Sequence, residues 1–214
     1  MTLTRRELVG FAATTAACLC VGGASVALAG EHELLRPPGA RNEADFIASC
    51  IKCDRCRSVC PTGAISVARL EDGLLNTRTP IMNFHQGICD FCDLCARVCM
   101  TGAIEHGFDP TQDKIGVAIV QKDRCLAYSL DCTNCENSCA YDALVFDSKR
   151  HPQIDAELCN GCGVCEYDCT ALVYGTFSGG NRRGIVVVPL AEYERIGSTL
   201  VDGNEASALE EVEA

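Results

Sequence analysis

The hydrophobic residues of this chain occur in short runs, and most of these runs stand next to a group of cysteines. Short runs that are rich in β-branched residues predict short β-strands. We predict strands over residues 65–68, 116–120, 144–146, 153–154 and 184–190. A short helix is predicted from residue 42 or 43 to residue 49, with Phe46 and Ile47 on its buried side. The pattern therefore predicts an α+β fold built from small elements.

Sixteen cysteines between residues 50 and 169 form four groups of four. The first, second and fourth groups have the spacing C-x2-C-x2-C-x3-C, and the third is stretched at its front to C-x6-C-x2-C-x3-C. The groups are Cys50, Cys53, Cys56 and Cys60; Cys89, Cys92, Cys95 and Cys99; Cys125, Cys132, Cys135 and Cys139; and Cys159, Cys162, Cys165 and Cys169. A Thr-Gly-Ala-Ile segment begins two residues after Cys60 and after Cys99, and Tyr-Asp-Ala-Leu takes that place after Cys139. An internal repeat this regular indicates a repeated structural unit.

The spacing matches the bacterial ferredoxin sequence that binds [4Fe–4S] clusters, in which the fourth cysteine binds the neighbouring cluster. Three thiolates at i, i+3 and i+6 can surround one face of a cluster, and we expect the cysteine at i+10 in a helix that follows. Gly161 and Gly163 suit a loop whose backbone approaches the cluster closely. The sequence therefore predicts four [4Fe–4S] clusters, all sixteen cysteines as iron ligands, and tandem bacterial-ferredoxin-like 2[4Fe–4S] units with a helix after each fourth cysteine.

Other uses of these cysteines fit the spacing less well. Disulfides are usual in exported cysteine-rich chains and would make this a stapled binding module, but they do not require four nearly identical quartets. Structural zinc prefers two separated C-x2-C pairs. Covalent c-type haem requires C-x-x-C-H, and no C-x-x-C unit of the chain is followed by histidine.

The spacing leaves two ways to pair the groups. Sequential pairing joins the first group to the second and the third to the fourth, whereas nested pairing joins the first to the fourth and the second to the third. A resemblance to the four-cluster electron-transfer subunits of molybdenum oxidoreductases favours nesting. In the nested arrangement Cys169 completes the site of the first group and Cys60 completes the site of the fourth. Cys139 and Cys99 are then exchanged between the second and third groups.

The composition explains how small elements can still form a fold. Apolar residues make up 48% of the chain, but this figure includes 18 cysteines, while aromatic residues make up 6% and tryptophan is absent. We therefore expect bound cofactors to replace part of the hydrophobic core. The net charge of −11 argues against nucleic acid or an anionic membrane surface as the main partner. It favours redox partners with a positive docking patch.

The N-terminus has the features of an export signal. Arg5 and Arg6 precede a weakly apolar run over residues 11–29 that ends in Ala-Leu-Ala. This pattern predicts a twin-arginine signal peptide over residues 1–29, which leaves the protein on the periplasmic or cell-surface side of the cytoplasmic membrane. An uncleaved membrane anchor is the alternative, because the run is just long enough to span a bilayer. The twin-arginine route carries folded proteins, which suits a cofactor assembled in the cytoplasm.

The rest of the chain divides into three parts. Residues 30–42 predict a linker, because the Pro37-Pro38-Gly39 segment cannot continue a helix. Residues 43–190 contain all four cysteine groups and form the predicted four-cluster ferredoxin domain. Residues 191–214 become acidic and rich in small residues, which predicts a flexible tail.

The sequence contains no catalytic motif beside the cysteines. A P-loop, H-E-x-x-H and G-x-S-x-G are absent, and Gly161-Cys162-Gly163 lacks the third glycine of a dinucleotide fingerprint. Four histidines stand apart in the sequence, and we interpret them as structural or solvated: His32, His85, His106 and His151. Two tyrosines near the third group, Tyr128 and Tyr141, are interpreted as packing residues. The chain is therefore predicted to be an electron-transfer component without a substrate site of its own.

The chain resembles the MauM/NapG-type periplasmic ferredoxins from about residue 4 to residue 190. The resemblance rests on the export signal, the Leu-Arg-Pro-Pro-Gly-Ala segment at residues 35–40, the four quartets and the stretched third group. The resemblance implies a quinol dehydrogenase component. Such a protein acts with a polytopic membrane partner and passes electrons toward a periplasmic reductase such as nitrate reductase, often through a c-type cytochrome. The chain departs from the pattern after the fourth cysteines, since proline follows Cys60 but Met100, Ala140 and Thr170 occupy the matching places. The alternative function is the electron-transfer subunit of a molybdenum oxidoreductase complex.

Overall fold

The computed structural model describes residues 33–40, 42–171 and 183–201. Residues 1–29, where the signal peptide is predicted, and residues 202–214 lie outside the described residues. The helices of the described part are α1 (Glu43–Ser49), α2 (Arg55–Val59), α3 (Leu94–Arg97), α4 (Ala127–Leu130), α5 (Val164–Tyr167) and α6 (Leu190–Val201), with a 3-10 helix at Leu70–Asp72. No helix within these ranges is long and apolar enough to cross a membrane.

Six short strands form three antiparallel pairs in the described part of the chain. The strands are β1 (Ile65–Val67), β2 (Pro80–Met82), β3 (Val117–Val120), β4 (Leu144–Phe146), β5 (Pro152–Ile154) and β6 (Ile185–Val188). Strand β1 pairs with β2, β4 pairs with β5, and β3 pairs with β6. Five of these strands confirm the sequence predictions with slightly different bounds. Strand β2 was not predicted from the sequence.

The strand pairs connect consecutive cysteine groups. The hairpin β1–β2 begins after the first group and ends before the second, with Ile65 opposite Met82. The hairpin β4–β5 connects the third group to the fourth in the same way, with Leu144 opposite Ile154. Strand β3 precedes the third group in the sequence and β6 follows the fourth, and the two strands pair with each other. We therefore distinguish a first unit, residues 43–104, from a second unit, residues 117–171 and 183–188.

The predicted helix α1 is confirmed. The Asn42 side chain accepts hydrogen bonds from the backbone N–H groups of Ala44 and Asp45 and so caps the helix. Phe46 is buried on its inner face and Ile47 is partly buried. One cluster of buried residues extends through both units and includes Phe46, Phe84 and Ile185 together with several cysteines. The core is thus shared between apolar side chains and thiols, and the expected contribution of bound cofactors to the core stays a prediction.

In the first three groups no helix follows the fourth cysteine directly, so this expectation was wrong for them. After Cys169 the backbone turns helical at Ala171, and residues 172–182 lie outside the described part of the chain. Helices α2, α3 and α5 each begin one residue before the third cysteine of a group and end before the fourth. Cys60 follows α2 with an extended backbone, φ −66° and ψ 114°. Four residues separate Cys60 from strand β1, which leaves no room for a helix there. In the third group, the inserted residues form α4 between Cys125 and Cys132.

The segment before α1 is a buried part of the fold, not a solvent-exposed linker. Arg36 is buried, and Pro37 is among the most completely buried side chains. The backbone N–H of Met82 donates to the carbonyl of Leu35, with the two atoms 2.7 Å apart. A Cβ atom at Gly39, where φ is +92°, would overlap the backbone carbonyl of Glu105. The prolines predicted an extended path correctly, but the backbone pairing and burial required the tertiary structure.

The first part of the predicted flexible tail is helical. Helix α6 covers residues 190–201 and packs on β3, and its Ile196 is buried. Arg195 pairs with Glu192 one turn earlier. The apolar residues Leu190, Tyr193 and Ile196 recur at helical spacing, and this pattern was hidden by the acidic composition of the segment as a whole.

Candidate metal-cluster sites

Four cavities are each lined by four cysteines, and each is named here after the group that supplies three of them. The first-group cavity is lined by Cys50, Cys53, Cys56 and Cys99; the second-group cavity by Cys89, Cys92, Cys95 and Cys60; the third-group cavity by Cys125, Cys132, Cys135 and Cys169; and the fourth-group cavity by Cys159, Cys162, Cys165 and Cys139. Every cysteine of the four groups therefore lines one of these cavities. The three close cysteines of a group stay together, and the fourth reaches a different cavity.

The fourth cysteines are exchanged within sequential pairs of groups, so the expectation of nesting was wrong. Cys60 and Cys99 are exchanged between the first and second groups, and Cys139 and Cys169 between the third and fourth. The hairpins explain this outcome. Each hairpin starts after a fourth cysteine and returns the chain to the next group beside it, so the nearest cavity is that of the next group.

The loops of the first, second and fourth groups share one backbone pattern. In each loop the residue before the second cysteine and the residue after it have positive φ. These residues are Lys52 and Asp54, Phe91 and Asp93, and Gly161 and Gly163, with φ between 54° and 79°. The two glycines were predicted for this reason, but the non-glycine residues were not. A left-handed conformation costs a non-glycine residue about 1–2 kcal/mol, so the surrounding structure must hold these loops in place.

In the first three groups, the residue three positions after the fourth cysteine also has positive φ. Gly63 and Gly102 have φ of 70° and 71°, and Asp142 takes the same conformation at the matching place, with φ 55°. The threonine before each glycine faces the cysteine: Thr62 Oγ1 lies 3.4 Å from Cys60 Sγ, and Thr101 Oγ1 lies 3.7 Å from Cys99 Sγ. The Thr-Gly repeat in the sequence thus has a local purpose, which is to turn the chain and to place a hydroxyl beside a sulfur.

Backbone N–H groups point at four of the sulfur atoms. Ile104 donates to Cys99 and Ala118 to Cys159, each over 3.4 Å, while Ala143 donates to Cys139 and Gly184 to Cys169, each over 3.3 Å. Hydrogen bonds to cluster sulfurs raise the reduction potential, because they stabilise the added negative charge. Sequence reasoning could not find these donors, since any residue except proline supplies the same N–H.

Burial dominates the electrostatics of the inner thiols. It raises the pKa of Cys56, Cys89 and Cys135 to about 12 each, and that of Cys95 to about 11, with neighbouring cysteines adding to the effect. At Cys99 burial also raises the pKa, but N–H and hydroxyl donors outweigh it and lower the pKa overall. Four thiolates in one cavity therefore need a positive group between them, which is what iron ions supply.

The donor sets fit a multi-atom cluster. In the described part of the chain, no three or more His, Cys, Asp or Glu side chains are placed to hold a single metal ion. The cysteines instead surround cavities whose empty volumes, including space open to solvent, range from about 300 to about 470 Å³. Four soft thiolate ligands around such a space suit an iron–sulfur cluster.

Comparison with known proteins agrees with this site chemistry. A model described as a 4Fe-4S dicluster domain matches residues 49–103, which is almost the whole first unit. The chain is 33% identical over 141 residues to the ferredoxin-type protein NapF of Escherichia coli K12, with 63% of this chain and 79% of NapF covered. It is 34% identical over 187 residues to the methylamine utilization ferredoxin-type protein MauM of Paracoccus denitrificans, with 78% of this chain and 83% of MauM covered.

The chain belongs to the MauM/NapG-type ferredoxins. A NapG protein of Escherichia coli K12 is 29% identical over 152 residues, with 63% of this chain and 65% of that protein covered. This MauM/NapG-type ferredoxin is thus a ferredoxin-type iron–sulfur protein of the electron-transfer class, as its cysteine spacing predicts.

The histidines of this ferredoxin contact carboxylates or rings. His106 Nδ1 lies 2.9 Å from an oxygen of Asp93, and the ring of His151 stacks on Tyr128 at 4.1 Å between centroids. His32 lies outside the described residues. Tyr141 lines the fourth-group cavity, so its predicted packing role holds next to a candidate cluster site.

One buried carboxylate was missed by sequence reasoning. Glu166 is buried directly after Cys165, and its Oε2 accepts a hydrogen bond from the backbone N–H of Val187 over 2.7 Å. His85 Nε2 lies 3.4 Å from its other oxygen. Glu166 thereby connects helix α5 to strand β6 and to the first unit. A glutamate between two cysteines on a short helix gives no sequence signal of burial.

Proposed function

We propose that this ferredoxin is an exported electron relay with four [4Fe–4S] clusters, which passes electrons from a quinol-oxidising membrane partner to a periplasmic reductase or c-type cytochrome. The observation that carries the proposal is the division of sixteen cysteines into four cavities of four. A bound [4Fe–4S] cluster accepts and releases one electron at a time. The protein has no need of a substrate pocket for this role.

The second unit supports the cluster count. The dicluster model matches the first unit, and the second unit repeats its hairpin and its exchange of fourth cysteines. The third group differs in its inserted helix α4, yet Cys125, Cys132 and Cys135 still line one cavity together. Two further clusters in the second unit are therefore the simplest occupants of these cavities.

The chain's own residues prepare each site. The cysteines bind from two directions, the left-handed loop residues keep the backbone close to the cavity, and the N–H donors lie against the sulfurs. Different numbers of donors and different burial would give the four sites different potentials.

The partners are proposed from the family and from the export signal. MauM of Paracoccus denitrificans is a methylamine utilization protein by its name, so members of the family serve more than one oxidoreductase system. The sequential exchange of cysteines differs from the nested arrangement that we expected by resemblance to molybdenum oxidoreductase subunits. A relay between separate proteins is therefore favoured over a permanent subunit of such a complex.

The cluster count is tested by composition. The protein purified without oxygen should contain on the order of sixteen iron and sixteen labile sulfide per chain, with the optical and Mössbauer spectra of [4Fe–4S] clusters. Iron near half that amount, with the second unit folded, would contradict four clusters. Zinc, or eight disulfides without metal, would contradict the proposed function altogether.

Export is tested by the position of the mature N-terminus. Cell fractionation should place the chain outside the cytoplasm, and N-terminal sequencing should begin at Gly30. Recovery from the membrane with residues 1–29 intact would instead assign this segment as an anchor.

A further inference from the structure

The contacts that join the two units lie between the second-group and fourth-group cavities. The backbone N–H of Cys89 donates to the carbonyl of Cys162 over 2.9 Å. The Phe84 ring lies against Gly163, where an added Cβ would collide with the ring. Phe91, in the second-group loop, makes an edge contact with Tyr141 at 6.4 Å between centroids. The second-group and fourth-group cavities are therefore the inner two of the series.

The first-group and third-group cavities then form the two ends. Each is joined to its inner neighbour by the exchange of fourth cysteines within its own unit. In an electron relay the end sites are where partners dock, because electron transfer needs a short distance. The surface around each end should therefore match a partner.

The first-group end presents apolar side chains to solvent. Ile51 and Met100 both line the first-group cavity, and they are 60% and 71% exposed. Large apolar side chains at this exposure, on the lining of one candidate cofactor cavity, are characteristic of the centre of a protein interface.

Basic side chains line the same cavity as these apolar residues. Lys52, Arg55 and Arg78 line the same cavity, and Asp54 is the acidic residue that lines it with them. Asp54 is already paired with Arg57. The lining of the first-group cavity is therefore positive, whereas the net charge of the whole chain is −11. By contrast, no charged side chain lines the third-group cavity in the described part of the chain.

We propose that Ile51, Met100, Lys52, Arg55 and Arg78 form a docking surface for an acidic electron-transfer protein. We call this set the basic end. The inference rests on the proposed relay function and adds to it the chemistry of one partner. The net charge of the chain predicted partners with a positive patch, but the local charge at the basic end selects the opposite kind. An apolar centre with a charged rim suits a brief encounter, since rim charges mainly speed association and orient the partner.

The test uses a small anion in place of the acidic partner. Hexacyanochromate(III) is paramagnetic, inert and redox-inactive under these conditions, so it broadens the NMR signals of methyl groups near which it binds. In oxidised protein with labelled Ile and Met methyls, we expect selective broadening at Ile51 and Met100. The broadening should decrease as the ionic strength rises. A cationic chromium complex of the same size should not broaden these methyls.

Matched double variants separate local charge from total charge. Arg55→Glu with Arg78→Glu should reduce the broadening at Met100 at least about fivefold, because four units of charge change beside a trivalent anion. Lys149→Glu with Arg150→Glu makes the same total change in the second unit and should leave the broadening within about a factor of two. Arg78 and Arg150 both have positive φ, so the two variants also match in backbone demands.

A final pair of measurements identifies the occupant. Salt-dependent binding of a small acidic c-type cytochrome should perturb the same methyls, and a basic cytochrome should not. Equal effects of the two double variants, or broadening concentrated elsewhere, would overturn the proposal. A further variant neutralises the acidic residues of the C-terminal segment: Asp202→Asn, Glu205→Gln, Glu210→Gln, Glu211→Gln and Glu213→Gln. If broadening at the basic end emerged only in this variant, the surface would be assigned to the chain's own C-terminal segment, and the proposal of an acidic partner would be overturned. Iron and sulfide are measured on every sample, so a failed cluster count is distinguished from a failed docking surface.

Discussion

Replacing Cys60 with alanine is expected to remove the cluster of the second-group cavity, although Cys60 belongs to the first group in the sequence. Its sulfur lines the cavity of Cys89, Cys92 and Cys95. Three remaining thiolates hold a [4Fe–4S] cluster weakly, so this site should lose most of its iron, about a quarter of the total in a four-cluster protein. Iron analysis and the electron paramagnetic resonance spectrum of the reduced protein measure the loss.

Paired variants show which cluster is lost. The spectrum missing in Cys60→Ala should match the one missing in Cys89→Ala, because both change the second-group cavity. Likewise Cys99→Ala should match Cys50→Ala, because both change the first-group cavity. If Cys60→Ala instead matched Cys159→Ala, the nested arrangement would be restored, and a match with Cys50→Ala would mean that no exchange takes place.

Replacing Arg36 with methionine is expected to destabilise the fold by about 3 kcal/mol, because it removes a buried guanidinium from its hydrogen bonds and from an ion pair with the partly buried Glu43. The guanidinium donates to both oxygens of Glu43, to Thr79 Oγ1 over 2.7 Å and to Asn76 Oδ1 over 3.0 Å. It also lies over the Phe46 ring, 4.7 Å from its centroid. One side chain thus connects the segment before α1, helix α1 itself and the turn before β2.

The free energy of unfolding of this variant is measured in guanidinium chloride, without oxygen. Arg36→Lys should recover little of the loss, because an ammonium cannot make the same forked contacts. Arg69→Met is the control, since Arg69 pairs with Glu71 on the surface with 80% of its side chain exposed and should change stability by less than about 0.5 kcal/mol. A small effect of Arg36→Met would show that the segment at residues 33–40 does not hold the first unit together.

The sequence predicted those features that local pattern determines. The strand at residues 117–120 follows from a run rich in β-branched residues and the strand at 144–146 from a short apolar run, while α1 follows from its cap and its apolar face. The grouping of the candidate ligand cysteines follows from spacing, because a cluster-binding loop needs cysteines at fixed intervals, and their role as iron ligands stays a prediction. Gly161 and Gly163 were identified because only glycine adopts positive φ without strain.

Features that depend on distant parts of the chain could not be predicted in this way. The pairing of Cys60 with the second group depends on how the β1–β2 hairpin folds back, and the spacing of the groups is the same in either arrangement. Phe91 and Asp93 give no sign of positive φ, because the constraint comes from the loop around them. The burial of Arg36 depends on Asn76 and Thr79, forty residues and more away in the sequence.

The exchange of fourth cysteines would also make each proposed cluster a covalent cross-link across a hairpin. A cluster in the first-group cavity would close a loop from Cys56 to Cys99, and one in the second-group cavity would close a shorter loop inside it, from Cys60 to Cys89. Closing such loops restricts the unfolded chain much as a disulfide does. Because each proposed cluster would take cysteines from both sides of a hairpin, we expect metal loading and folding of each unit to be coupled.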